Sequence, residues 1–130
     1  MREIKFRAFI KKIKWMVPVA MIDFTYSTVE VDLSYGNGAT SEYDFNEVEL
    51  MQFTGILDKH NKRVYEGDII RVFDPDKKHQ IQQVVFQDGA FCGYSPKKST
   101  RWTLLDILVG AHGVEVIGNV HENEDLLEGK

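Results

Sequence analysis

The sequence predicts a mainly β protein, at most a β-rich α+β one: a meander of hairpins with a small, strongly bent barrel and one or two short helices. Three observations carry this. Apolar residues recur at every second position along most of the chain, the period of a half-buried strand. Turn dipeptides punctuate those runs, above all Asn37-Gly38 and Asp88-Gly89, which accept the positive φ angles of tight hairpins. Helical spacing is confined to two short stretches.

Each element has its own signal. "EIKFRAF" (3–9) alternates, with Ile4, Phe6 and Ala8 on one face, and "KIKWMV" (12–17) repeats the pattern through Ile13 and Trp15. "AMIDFTYSTVEVDLSY" (20–35) holds two runs around Ser27-Thr28 and reads as a hairpin. "YGNGA" (35–39) is the strongest turn, and "SEYDF" returns after it. "VELMQFTG" (48–55) is a further strand, and "DKHNK" (58–62) is a turn with Asn61 as its left-handed residue. "DIIRVFD" (68–74) is β-branched and stops at Asp74-Pro75-Asp76. "QIQQVVFQDGAFCGY" (80–94) splits at Asp88-Gly89 into a second hairpin, and "VEVIGNVH" (114–121) is the last strand. "RWTLLDILVGA" (101–111) spaces Trp102, Leu105 and Leu108 as one helix side. "NEDLLE" (123–128) looks like a short helix with Asn123 as its N-cap. Most aromatics fall at strand positions expected to face inward.

The chain has 130 residues, 43% of them hydrophobic. That is enough to offset ordering entropy in one domain, with a weak internal boundary near residues 45–48. The lone Cys92 forms no internal disulfide and fits a reducing compartment. Charges interrupt the apolar N-terminus, so neither a secretory core nor a membrane span is expected, and the reading is a cytoplasmic protein. The net charge is −4, from 16 basic and 20 acidic residues, which disfavours tight sequence-blind nucleic-acid binding. The charge is uneven. Residues 2–14 carry Arg2, Lys5, Arg7, Lys11, Lys12 and Lys14 against Glu3 alone.

The quartet Tyr65-Glu66-Gly67-Asp68 opens a strand and poses the central question. As a corner, Gly67 supplies a special backbone angle and Asp68 accepts backbone N–H groups. As a site, Glu66 and Asp68 offer paired carboxylates for acid–base work or a divalent ion. No third ligand follows in sequence, and Lys62 and Arg63 stand beside the pair, so the corner reading outweighs the site.

"KFRAF", "LMQFTGILDKHNKRVYEGDII", "VVFQDGAF" and "VEVIGNVHENEDLL" together resemble the YopX family of phage and prophage proteins, over nearly the whole chain. The resemblance implies a phage-encoded accessory protein with a mainly β fold and homo-oligomeric assembly. It brings no assigned activity or catalytic residue. The matching positions include Gln52, Thr54, Gly55, Asp58, the quartet, Gly118, Asn119 and Glu122.

The remaining motifs exclude more than they propose. His60, His79, His112 and His121 have no metal-ligand spacing, and no phosphate loop, dinucleotide fingerprint or nucleophile elbow occurs. No metal, cofactor or catalytic residue is expected. Three functional readings follow, in order of weight. The first is a non-enzymatic module that binds a host or phage protein through a sheet edge or groove, with self-association into a homo-oligomer. The second is a nucleic-acid accessory protein with a basic loop rim of Lys77, Lys78, Lys97, Lys98 and Arg101 beside Tyr94 and Trp102. The third is an enzyme or ligand site of Tyr65, Glu66, Asp68, Asn119 and Glu122.

Overall fold

The computed structural model describes residues 2–34, 38–73, 79–110 and 113–128. The Asn37 half of the first turn, the Asp74-Pro75-Asp76 breaker, Lys77, Lys78 and His112 lie outside the described residues. The chain divides into two compact units, Met1–Phe53 and Thr54–Lys130. No described helix is long and apolar enough to cross a membrane.

The first unit is an antiparallel sheet. Its strands are β1 (Phe6–Ile10), β2 (Trp15–Asp23), β3 (Thr28–Asp32), β4 (Thr40–Asp44) and the start of β5 (Val48–Leu57), in the order β4-β3-β2-β1-β5. A single 3-10 turn, Phe45–Glu47, leads from β4 into β5. Its capping box ties Asp44 and Glu47 to each other's backbone N–H groups, with Asp44 N donating to Glu47 Oε1 at 2.8 Å. β2 does two jobs. Its first half pairs with β1, from Arg7↔Pro18 to Ile10↔Trp15, and its second half pairs with β3, ending at Asp23↔Thr28. A register shift between Val19 and Met21 separates the halves. Such irregularities bend a strand and let one sheet wrap its own core. The core inside the bend is Ala8, Ile10, Val17, Val29, Val31 and Val48: small and β-branched residues that fit a curved pleated surface.

The second unit begins with the rest of β5, paired to the short β6 (Arg63–Tyr65). Its main sheet is β7 (Asp68–Val72), β8 (Gln80–Gln87), β9 (Ala90–Ser95), β10 (Thr100–Thr103) and β11 (Val114–Asn119), in the order β10-β9-β8-β7-β11. All its pairings are antiparallel. The α1 helix (Leu104–Gly110) follows β10, with Thr103 Oγ1 accepting from Asp106 N at 3.1 Å. Leu104 and Ile107 join Val64, Ile70, Val72, Val84 and Val114 in the core. Both hairpins expected around Ser27-Thr28 and Asp88-Gly89 form, with Ser27 at φ 55° and Gly89 at φ 81°. The sheets are bent, but their pairings do not close into a ring among the described residues.

Three local expectations need correction. The "KIKWMV" strand starts only at Trp15, because residues 11–14 form the β1–β2 turn with Lys14 at φ 59°. The helix expected from Arg101 starts at Leu104, because Arg101 and Trp102 complete the ladder opposite Tyr94 and Gly93. The aromatics do not fill the core. Phe9 and Phe53 are buried, whereas Trp15, Phe24, Tyr26, Phe86 and Trp102 are exposed. Val and Ile dominate the two core clusters, and Tyr43, Phe45 and Phe91 pack against those clusters from partly buried positions.

Candidate functional site

The quartet is built as a corner between β6 and β7. Gly67 sits at φ 82°, a backbone angle costly for any residue with a Cβ. Asp68 is 1% exposed, and its Oδ2 accepts from Tyr65 N at 2.7 Å. Gly67 itself is a bridge: its N–H donates to Val84 O, and its carbonyl accepts from Val120 N, each at 2.8 Å. Glu66 and Tyr65 are partly exposed at the corner.

The second half of the sequence-predicted constellation stands directly beside it. Asn119 pairs with Asp68 in the β7–β11 register. Its Oδ1 accepts from His121 N and Glu122 N at 3.0 Å each, and its Nδ2 donates to Glu122 Oε1 at 2.7 Å. Asn123 stands at the N-cap position of the final 3-10 helix (Glu124–Glu128), where its carbonyl accepts from Leu126 N at 3.0 Å, and its side chain folds back. Its Oδ1 accepts from Asn119 N at 3.1 Å, and its side chain covers Gly118, where a Cβ would lie only 2.6 Å from that oxygen. The fold therefore brings Asp68, Asn119 and Glu122 to one corner, with Asp68 and Asn119 bonded to turn backbone. Buried polar side chains that satisfy N–H groups in this way hold a chain path.

A third polar centre was read from sequence only as a turn. Asp58 is 6% exposed. Its Oδ1 accepts from His60 N and Lys62 N at 2.8 Å, and its Oδ2 from Val116 N at 3.0 Å. Burial alone would raise the Asp58 carboxyl; the backbone N–H groups of Val116, Lys62 and His60 outweigh it and hold the group below its ordinary value of 3.8. Lys59 N donates to Val114 O at 2.9 Å. The 58–62 loop thus lies along the outer edge of β11 and caps an edge strand that would otherwise offer free backbone groups. Over it, His60 Nε2 lies 2.9 Å from Glu115 Oε2, and Arg71 Nη1 donates to Glu115 Oε1 at 3.0 Å. The His60 contact, ahead of Lys59 and Arg71, keeps the Glu115 carboxyl below its usual range against a smaller opposing effect of burial. An aspartate followed by a polar turn with a left-handed Asn61 was the available sequence signal; its reach to Val116, 58 residues on, was not visible.

Of the basic rim, Tyr94, Lys97, Lys98, Arg101 and Trp102 are among the described residues. Tyr94 and Arg101 face each other across β9 and β10, so they share one sheet face. Trp102 is on the other face, opposite Gly93. Arg101 Nη2 donates to Asp88 Oδ2 at 2.8 Å. Lys97 and Lys98 are exposed in the β9–β10 turn, where Lys98 N donates to Ser95 Oγ at 3.4 Å. Cys92 is buried. No group of three or more His, Cys, Asp or Glu among the described residues is placed to hold a metal ion.

The exposed apolar side chains of the first unit form the remaining candidate. Phe24 and Tyr26 are 78% and 76% exposed in the β2–β3 turn, and Trp15 and Met21 are about half exposed on β2. Asp23 holds that turn, its Oδ1 accepting from Thr25 N at 2.9 Å and Tyr26 N at 3.1 Å. Phe24 meets Phe45 edge-on at 6.2 Å between centroids, and Tyr26, Ser27, Asp44, Phe45 and Asn46 line an open hollow.

With this geometry in place, the chain can be set beside known proteins. The model of the YopX protein family matches residues 5–128. The chain belongs to the YopX family. The solved structure of protein EF1440 from Enterococcus faecalis is similar over 98% of this chain and 99% of that one, with 28% identity and a TM-score of 0.66. The structure of protein yopX from Bacillus subtilis is similar in fold over 97% of this chain and 98% of that one, with 18% identity and a TM-score of 0.68. No curated protein matches the chain. The YopX match spans residues of both units.

Proposed function

We propose that this YopX-family chain is a non-enzymatic protein-interaction module, a phage- or prophage-encoded accessory protein that works in the bacterial cytoplasm and binds a host or phage protein. The observation that carries this reading is the exposed apolar set of the first unit: Trp15, Met21, Phe24 and Tyr26 on one strand and its turn. Large rings held rigidly in water are the anchors of interfaces, where they offer contact area at small entropic cost. Their turn is not loose, because Asp23 bonds its backbone. The corner of Asp68 and Asn119 supports the same reading from the other side, since these side chains are occupied by backbone N–H groups. Self-association into a homo-oligomer belongs to the same proposal.

The test is quantitative capture of host and phage proteins on the immobilised chain and on its Phe24→Ala/Tyr26→Ala variant. The reading expects specific captured proteins to fall at least tenfold on the variant while its thermal midpoint stays within a few degrees. Identical capture on both chains would sink it.

A further inference from the structure

The first unit segregates its charge. All six of its basic residues lie within residues 2–14, and no Lys or Arg occurs from Trp15 to Phe53, where Asp23, Glu30, Asp32, Glu42, Asp44, Glu47 and Glu49 stand. The fold gathers part of this acidic set on one sheet face. Met21, Glu30 and Glu42 form one row across β2, β3 and β4, and Asp23, Thr28 and Asp44 form the next row. Glu30 is directly opposite Glu42, a like-charge juxtaposition that sheets normally avoid because it destabilises the pair. Neither carboxylate has an ion-pair partner among the described residues. Met21, Asp23, Thr28, Glu30 and Glu42 line a shallow depression there, and the Asp44 end of the rows adjoins the hollow walled by Tyr26 and Phe45. β4 is the outermost strand of this sheet among the described residues, so this surface reaches the sheet's edge.

The complementary surface is the β1–β2 turn. Lys12 and Lys14 are exposed, and they alternate with Ile13 and Trp15, which are 39% and 53% exposed. Lys11 is held in place by the Asn46 carbonyl at 3.1 Å and Glu49 at 3.5 Å, which fixes the turn without using the other two lysines. A turn that carries ammonium groups beside apolar side chains complements a face that carries carboxylates beside Met21 and, at its Asp44 end, an aromatic hollow.

We infer that the acidic face of β2–β4 takes the Lys12–Trp15 turn of a second copy of this chain. The inference rests on the interaction-module reading and assigns it a surface. Two different patches of this kind make a heterologous contact, giving a ring where the rotation closes and an open chain where it does not. Removing unlike charges from water costs little at such an exposed contact, so the association is steered by charge and weakened by salt.

Sedimentation velocity on the full chain tests this over a concentration series in low and high salt, with two charge reversals. Glu30→Lys/Glu42→Lys makes the face basic, and Lys12→Glu/Lys14→Glu makes the turn acidic. The expected result is an oligomer at low salt that dissociates at least tenfold more readily in 1 M salt, two variants that are each monomeric, and a heteromeric assembly when the variants are mixed. Circular dichroism checks that each variant is folded; if either is not, Glu30→Gln/Glu42→Gln must still weaken association. A wild-type chain that is monomeric at every concentration, or an oligomer indifferent to both reversals, overturns the inference. Because Phe24 and Tyr26 are untouched by the reversals, capture of other proteins through those rings is read separately, so the self-contact can fail while the interaction module stands.

Discussion

The two units spend their polar side chains in opposite ways. In the second unit three buried polar side chains are consumed by backbone: Asp58 takes three N–H groups, Asp68 takes Tyr65 N, and Asn119 takes two. In the first unit Glu30 and Glu42 lie on an exposed sheet face opposite one another, and large rings stand in water beside them. The difference teaches where to look for stability and where to look for binding. A carboxylate that satisfies buried N–H groups is expensive to lose, because its removal leaves those donors stranded. A carboxylate facing its like across a sheet is tolerated only where something other than stability retains it.

Substitutions can break or sharpen that contrast. The largest effect is expected for Asp58→Ala, which strands the N–H groups of His60, Lys62 and Val116 and should destabilise the protein by about 3 kcal/mol in urea denaturation. The same group sets an acid limit. Its folded pKa lies below the unfolded value, so its stabilisation is complete above 3.8 and is lost as pH falls through the folded value. Midpoints measured from pH 7 to pH 2 should therefore hold near neutrality and drop below about pH 4, a drop that Asp58→Ala should blunt.

Gly93→Ala comes next. A Cβ there would overlap Gln82 Oε1 and stand 2.6 Å from Ile107 Cδ1, an overpacking that should cost about 2 kcal/mol. Gln82 Oε1 is buried with no hydrogen-bond partner among the described residues, while its Nε2 donates to Gln80 Oε1 at 3.2 Å, so Gln82→Leu in the wild-type background should be close to neutral, because the desolvation it relieves offsets the one bond it removes. Gly67→Ala forces a Cβ into φ 82° and should cost about 1 kcal/mol. At the small end, Glu42→Thr should stabilise the first unit by roughly 0.5 kcal/mol by relieving its opposition to Glu30. If Glu42→Thr destabilises as Asp58→Ala does, the contrast between the units fails.

Much of the fold was legible in the sequence. Period-two runs and turn dipeptides placed the hairpins at Ser27-Thr28 and Asp88-Gly89, because strand alternation and positive-φ turns are local properties. The quartet's role as a corner was legible for the same reason: Gly67 and Asp68 act within a few residues of one another. Trp102 was misplaced because a helical spacing of Trp102, Leu105 and Leu108 is also satisfied when the first of them ends a strand. The aromatics misled more broadly. Their number and spacing fit a core, but the two core clusters are built mainly from Val and Ile while five of the large rings stay exposed, and that division is not written in any window of sequence.

The sequence by itself determined the strands, the turns, the family motifs and the segregation of basic and acidic residues, since each depends on neighbours along the chain. Only the tertiary structure decided that Asp58 reaches Val116, that Asp68 stands beside Asn119, and that Glu30 opposes Glu42. Those pairings depend on strand register, and register is set by which faces can be buried together across residues far apart in the chain.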